Sequence, residues 1–324
     1  MAEKPFGWCF LGTGTLAQNV AKEIVPSGRH RIVSTFSRNF EKNKAFADSC
    51  GATPCRSAEE AIQMEGVDAV YIVVPHPGHY ALTKLALTLG KPVLCEKPFT
   101  VDAKQSKELF DLAKEKRLYL AEAMWTWFAP TAQRVKSWVE EGRFGTISFC
   151  HANYHMNGQG YAARVTDPKQ AGGALLDIGV YAIHYLYRLF GKPAAIRCEG
   201  RLKDGIDWGE EITMTYPNGF TATASTAIDN YKGLERLTIK GDKAKTSVFL
   251  FHMTNKAKLK KGLRTLDAID AYGGMLNEFD LVSDEIREGR TESRFVPQQA
   301  TQDVMELLDE CRRQMQLVYP FEKA

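Results

Sequence analysis

Residues 6–17 read Phe-Gly-Trp-Cys-Phe-Leu-Gly-Thr-Gly-Thr-Leu-Ala, and this stretch decides the fold. A short apolar run ends in glycine, and apolar residues then recur at helical spacing over 16–25. Between strand and helix lies a GxGxxA turn, in the position where its small residues have separate physical tasks. Gly12 permits the tight turn, Gly14 lets the backbone touch a pyrophosphate, and Ala17 lets the helix pack on the strand. The helix N-terminus adds free N–H groups and the positive end of its dipole. Gly12, Thr13, Gly14, Thr15, Leu16 and Ala17 are therefore expected to bind a dinucleotide.

Working outward, residues 31–36 form a second strand pattern. Residues 68–74 are a nearly unbroken run of β-formers stopped by Pro75, as in a strand buried on both faces of a parallel sheet. A helical pattern over 80–89 ends at Gly90, and 92–96, 104–116 and 118–123 continue as strand, helix and strand. This alternation predicts a doubly wound α/β layer over 1–125. Ser37-Arg38-Asn39 follow the second strand, where NAD binders place an acid about 20 residues past the glycines to hold the ribose 2′-OH. A hydroxyl and a guanidinium suit a 2′-phosphate instead, so Ser37 and Arg38 favour NADP(H) over NAD(H). Ligands of open α/β sheets lie at the carboxyl ends of strands. That rule puts Val74, Pro75, His76 and His79, then Glu96 and Lys97, at the cofactor. Lys97 precedes Pro98, which bars it from helical conformation, and an ammonium there can polarise a substrate oxygen.

The pattern changes near Phe128-Ala129-Pro130. A helix over 131–141 precedes strand-like runs at 146–154, 194–202, 210–216, 219–227 and 234–240, with a Pro217-Asn218-Gly219 hairpin turn. Residues 126–324 are expected to form an α+β domain around a large, mainly antiparallel open sheet. Helices over 174–190 and 272–288 are expected to cover one face, and the uncovered face to make a homodimer. A last helix over 299–317 fits either domain.

The bulk numbers agree with two globular domains: 324 residues, 44% hydrophobic and 25% charged. A net charge of +3 gives no electrostatic case for nucleic acid. The densest basic stretch, Lys256, Lys258, Lys260, Lys261 and Arg264, reads as a solvated loop or helix face. No apolar run approaches the ~20 residues of a membrane span. Seven cysteines without CxxC pairs suit reduced thiols in a cytoplasm. His151 with His155, and His76 with His79, lack the acids or cysteines of a metal site, so no metal is expected.

The first glycine turn, the Ala-Val-Tyr-Ile-Val-Val-Pro-His-Pro-Gly-His stretch at 69–79, Glu96-Lys97-Pro98, and Gly-Gly-Ala-Leu-Leu-Asp-Ile-Gly-Val-Tyr at 172–181 occur in one order along the chain. In that order they resemble the glucose–fructose oxidoreductase / inositol dehydrogenase (Gfo/Idh/MocA) family over essentially the whole chain. The 172–181 version looks most like its branch of dimeric dihydrodiol and NADP-dependent xylose dehydrogenases. The resemblance implies that Lys97 is the catalytic lysine, that Asp177 contacts substrate, that Tyr181 is the acid/base, that His184 lies near the substrate, and that Lys97–Pro98 is cis. The residues agree with these roles, since Asp177, Tyr181 and His184 at i, i+4 and i+7 share one face of a regular helix. Free tyrosine ionises near ~10, and a nearby ammonium favours its phenolate. One departure stands out: many relatives carry arginine before Phe-x-Pro, and here Trp127 precedes Phe128-Ala129-Pro130. Trp125 and Trp127 are expected to wall the site with aromatic surface suited to sugar rings or arene-derived diols, with Trp125 also touching the cofactor. The function expected is NADP-linked hydride transfer at CH–OH/C=O of a carbohydrate, polyol or diol. An imine or other C=X reductase and a non-catalytic NADP/sugar sensor are the alternatives.

Overall fold

β1 (Phe6–Leu11) and β4 (Ala69–Ile72) are buried along their whole length, which is why both read as unbroken apolar runs. In the computed structural model, which describes residues 4–157, 163–230 and 233–322, the two strands lie side by side and parallel. They are the centre of a six-stranded sheet ordered β3-β2-β1-β4-β5-β6, with β2 His30–Phe36, β3 Thr53–Pro54, β5 Val93–Glu96 and β6 Leu120–Ala123. Every neighbouring pair is parallel. The chain winds from β1 outward to β3, then restarts at β4 and winds the other way. The strand order therefore reverses at the carboxyl ends of β1 and β4, the place where such sheets bind ligands.

The chain divides into two compact units. The first comprises the chain up to Thr100, Lys104–Met124 and Gly274–Gln298, and the second holds the remainder. The helix Met275–Arg287 thus belongs with the parallel sheet, whereas the sequence reading laid it on the second one. Its Phe279 packs edge-on against Trp8 and Tyr71 at centroid distances of 4.8 and 5.0 Å. At its flank, Asp280 and Asp284 meet Arg29. Amphipathic spacing shows that this helix has an apolar stripe, but not which sheet the stripe covers.

The second unit is built on an eight-stranded sheet ordered β14-β13-β12-β11-β7-β10-β9-β8. Its strands are β7 Ile147–His155, β8 Ala195–Lys203, β9 Ile206–Thr215, β10 Thr221–Ala227, β11 Glu235–Gly241, β12 Lys245–Phe249, β13 Lys256–Lys261 and β14 Arg264–Asp270. Only the β7–β10 pair is parallel. Three helices lie on one face. Pro130–Glu140 reaches β14 through the Trp138 indole N–H to Asp267. Val180–Phe190 meets the loop after β9 where the Tyr216 hydroxyl donates to the Leu186 carbonyl. Gln298–Met315 holds β8 through Gln314, which accepts from Cys198 N–H and donates to Ile196 O.

The stretch read as a solvated basic loop or helix face is β13 with the start of β14. Ala257 and Leu259 are buried there and the lysines between them point outward. Two apolar residues among so many lysines carry too little period-2 signal to mark a strand. The outward face of the sheet is more polar than expected. It shows His151, Glu211, Thr213 and Thr223, with the rings of Phe149 and Phe249 exposed among them.

Candidate active site

At the carboxyl end of β1, Gly12 has φ +116°, and a Cβ on it would lie 2.2 Å from the Val73 carbonyl oxygen. Only glycine fits that turn. Gly14 is the opposite case: it is exposed, and a Cβ there would have nothing within 4 Å. The space beside it is open for a ligand's phosphates. No side chain caps the helix Thr15–Ile24 that begins after it, so its first N–H groups point to that space uncapped. Ala17 is fully buried where helix meets sheet. At the end of β2 the Ser37 hydroxyl donates to the Asn39 carbonyl, 3.0 Å, and the exposed Arg38 guanidinium has no ion pair or hydrogen bond with the described residues. No carboxylate follows β2 directly. These residues fit a dinucleotide: a glycine cradle, an uncapped helix start and an unengaged cation.

Around β4 and β5 the first unit fixes the Glu96-Lys97-Pro98 segment from three sides. Glu96 accepts from the Tyr71 hydroxyl, 2.5 Å, and from the backbone N–H of Lys97, 3.2 Å. The buried Glu122 accepts from the backbone N–H of Phe99, 3.1 Å. The fully buried His79 has its ring nitrogens 2.9 Å from the Pro98 carbonyl and 2.8 Å from that of Val74, tying the loops after β4 and β5. His76 is buried beside it in an edge-on ring contact, centroids 5.8 Å apart, and Pro75 leads into this turn. Lys97–Pro98 is cis.

In the second unit, Gly172 and Gly173 precede a wide π-type turn, Leu175–Gly179, that runs into Val180–Phe190. Asp177 sits in that turn and pairs with Arg164 at 3.0 Å. Tyr181 is 7% exposed, and its hydroxyl accepts the Trp125 indole N–H at 3.1 Å. The rings of Tyr154 and His252 lie next to it, with centroids 6.1 and 5.1 Å away.

Family models match both units: residues 6–123 fit the oxidoreductase family with NAD-binding Rossmann fold, and 132–247 fit the GFO/IDH/MocA C-terminal domain. The chain belongs to the GFO/IDH/MocA oxidoreductase family. It is 28% identical to mouse (Mus musculus) trans-1,2-dihydrobenzene-1,2-diol dehydrogenase, over 98% of each chain. It is likewise 28% identical to the D-xylose 1-dehydrogenase (NADP(+)) of Hypocrea jecorina, over 97% of this chain and 93% of that one. Among solved structures, the 3-ketoreductase KijD10 of Actinomadura kijaniata, in complex with NADP and TDP-benzene, shares the fold with a TM-score of 0.85 at 22% identity, over 96% of this chain and 98% of that one.

Two residues expected at the substrate side of this GFO/IDH/MocA protein are fully buried in the second unit. Trp127 is wholly buried, packed on Tyr185 at 4.8 Å with the Arg188 guanidinium over its ring at 4.8 Å. His184 is wholly buried 6.2 Å from Trp127, and burial, then the Arg188 charge, push its pKa well below the usual histidine range. Every residue from Val180 to Leu186 is buried, so this helix has no single wet face on which i, i+4, i+7 spacing could collect polar groups. Arg164 beside Asp177, and His252 with Glu235 beside Tyr181, carry no motif in the sequence. The histidines on the outward sheet face serve local contacts, His151 with Thr223 and His155 with Ser225, both at 2.8 Å.

Asp207 props the segment that carries Asp177 and Tyr181, and Glu210 is buried beside Asp207. The Leu175 N–H donates to Asp207, 2.6 Å, and a Cβ on Gly173 would strike the same carboxylate at 2.1 Å. Thr226 donates to Glu210. Both acids are buried, and burial, then the neighbouring Asp207 charge, raise the Glu210 pKa well above the carboxylate range. The native state therefore holds a proton that the unfolded chain releases above about pH 4.3. Stability falls as pH rises through that window, by about 1.4 kcal/mol per pH unit. Glu210→Gln keeps the shape and cannot ionise. Thermal unfolding is expected to show the variant equal to the parent near pH 4 and more stable as the pH rises above it. A constant difference would contradict a protonated Glu210 in the native state.

Proposed function

We propose that the protein is an NADP-dependent dehydrogenase or reductase that moves hydride between the cofactor and a CH–OH/C=O group of a sugar, cyclic polyol or vicinal diol. The observation that carries this reading is the Tyr181 hydroxyl, held by Trp125 on the segment that also presents Asp177. Gly12, Thr13, Gly14, Thr15, Leu16 and Ala17 hold the phosphates, and Ser37 and Arg38 meet the 2′-phosphate. When bound, the nicotinamide supplies or accepts the hydride. Tyr181 takes the hydroxyl proton at its Oη in oxidation and returns a proton to the carbonyl oxygen in reduction. Lys97 donates a hydrogen bond to that oxygen and, as an ammonium, favours the phenolate of Tyr181. Asp177, aligned by Arg164, accepts from a second substrate hydroxyl. Trp125 supplies aromatic surface for the substrate ring.

The protein acts in the cytoplasm, in keeping with seven unpaired cysteines, and as a homodimer through the outward face of the second sheet, where Phe149 and Phe249 are exposed. The test is NADPH formation followed with D-xylose, inositols and vicinal diols, and NADPH consumption with the matching carbonyls. NADP-linked turnover in either direction is the expected result. Turnover with none of them, by protein that binds NADPH, would overturn the assignment.

A further inference from the structure

Beside Tyr181 the second unit holds a histidine fixed in every respect except one. The His252 carbonyl accepts from the Thr126 hydroxyl at 2.7 Å, and its backbone N–H donates to Glu235 Oε1 at 2.8 Å. Its ring Nδ1 lies 2.7 Å from Glu235 Oε2, and Glu235, at the start of β11, is 6% exposed. One carboxylate thus grips both the backbone and the ring, which sets the ring's plane and makes Nδ1 the N–H that faces the acid. The other ring nitrogen is not similarly held. Nε2 meets the Tyr154 hydroxyl at 3.5 Å, with the two rings stacked 4.9 Å apart. That separation is too long for a good O–H···N hydrogen bond. The ring is nevertheless largely enclosed, with 12% of the side chain exposed, and Trp125 and Tyr181 lie at centroid distances of 5.6 and 5.1 Å. A polar nitrogen enclosed by aromatic rings and left with one long hydrogen bond is poorly satisfied, and a closer ligand atom can complete it.

We propose that His252, oriented by Glu235, is a substrate-binding residue whose Nε2 hydrogen-bonds a hydroxyl of the substrate other than the one that reacts at Tyr181. A hydroxyl both donates and accepts, so it satisfies Nε2 in either protonation state of the ring. His252 is then a specificity residue. A site that buries a hydrogen-bonding group for one hydroxyl rejects the analogue that lacks it far more strongly than an apolar wall does.

This inference rests on the reading of Tyr181 as the acid/base, and the experiment separates the two. His252→Phe keeps an aromatic ring and removes the nitrogen. With NADP+ as oxidant, kcat/KM is measured for D-xylose and each of its monodeoxy derivatives, in parent and variant. In the parent, removal of one hydroxyl is expected to cost about 10- to 100-fold. In His252→Phe, D-xylose itself is expected to show that loss, and the same deoxygenation to cost little more. Equal penalties for every derivative in both proteins would overturn the proposal. A second readout needs no turnover: the His252 ring resonances, identified by their loss in His252→Phe, are followed by NMR as D-xylose is added in the presence of NADPH. A selective shift that Glu235→Gln alters is expected, because an amide at that position can donate to Nδ1 and change which ring nitrogen carries the proton. Absence of any shift would overturn the proposal. A shift without NADP-linked turnover would keep His252 as a sugar ligand and remove the catalytic reading.

Discussion

Tyr181→Phe is expected to lower NADP-linked kcat by about 10²- to 10⁴-fold, the range for loss of a general acid/base, while leaving dinucleotide affinity nearly unchanged. The substitution removes one oxygen. That oxygen accepts the Trp125 indole N–H, so the loss leaves one half-exposed indole donor unmade, at a cost of about 1 kcal/mol in stability. Steady-state kinetics with thermal unfolding on the same preparation separates the two effects. The substitution leaves the glycine turn and Arg38 untouched, so NADPH affinity is expected to stay within about threefold, under 1 kcal/mol. A sensor that binds NADP and a sugar without turnover would keep its ligand response in this variant. A rate within about tenfold of the parent would take the acid/base role from Tyr181.

Gly12→Ala and Gly14→Ala are expected to fail in opposite ways, although the two glycines are two residues apart. At Gly12 the new Cβ meets the Val73 carbonyl oxygen at 2.2 Å and its carbon at 2.7 Å, on a residue held at φ +116°. Both groups are backbone at the ends of paired strands, since Val73 N–H donates to the Leu11 carbonyl at 2.9 Å. Neither strand can withdraw without breaking that pairing. Backbone strain alone costs about 1–3 kcal/mol, and the displaced carbonyl adds to it, a large share of the roughly 5–15 kcal/mol that stabilises a typical protein. A marked fall in unfolding temperature is expected, or failure to accumulate folded protein. At Gly14 the added methyl meets nothing, and the backbone is at φ −73°, where alanine is comfortable. Unfolding is expected to change by less than about 0.5 kcal/mol, and NADPH binding to weaken because the methyl enters the space kept for the phosphates. Equal destabilisation by both would mean that Gly14 serves packing rather than a ligand.

The parts of the fold that depend on local patterns were readable from the chain. The turn at 12–17 needs its glycines wherever the rest of the protein goes, and 69–72 is apolar because it is covered on both faces. Parts that depend on long-range choice were not. The helix Met275–Arg287 has a stripe that fits either sheet, and Phe279 chooses the one with Trp8 and Tyr71. β13 hides two core residues among lysines. At the site, Trp125 and Trp127 look equivalent in sequence, yet the tight helical turn Trp125–Phe128 sends the first toward Tyr181 and the second into the core. His252 gave no signal at all, because its meaning lies in Glu235, 17 residues away on the neighbouring strand.

The central claim, a protein that uses NADP(H), is tested most directly by titrating the purified protein with NADPH and with NADH and following nicotinamide fluorescence. Arg38 follows β2 where no acid stands, its guanidinium exposed and unengaged by the described residues. A charge-assisted hydrogen bond to a 2′-phosphate contributes about 1.5–3 kcal/mol, so NADPH is expected to bind about 10- to 100-fold more tightly than NADH. Arg38→Ala is expected to erase that difference by weakening NADPH alone. Equal or tighter binding of NADH by the parent would contradict the account, since Arg38 would then hold no phosphate.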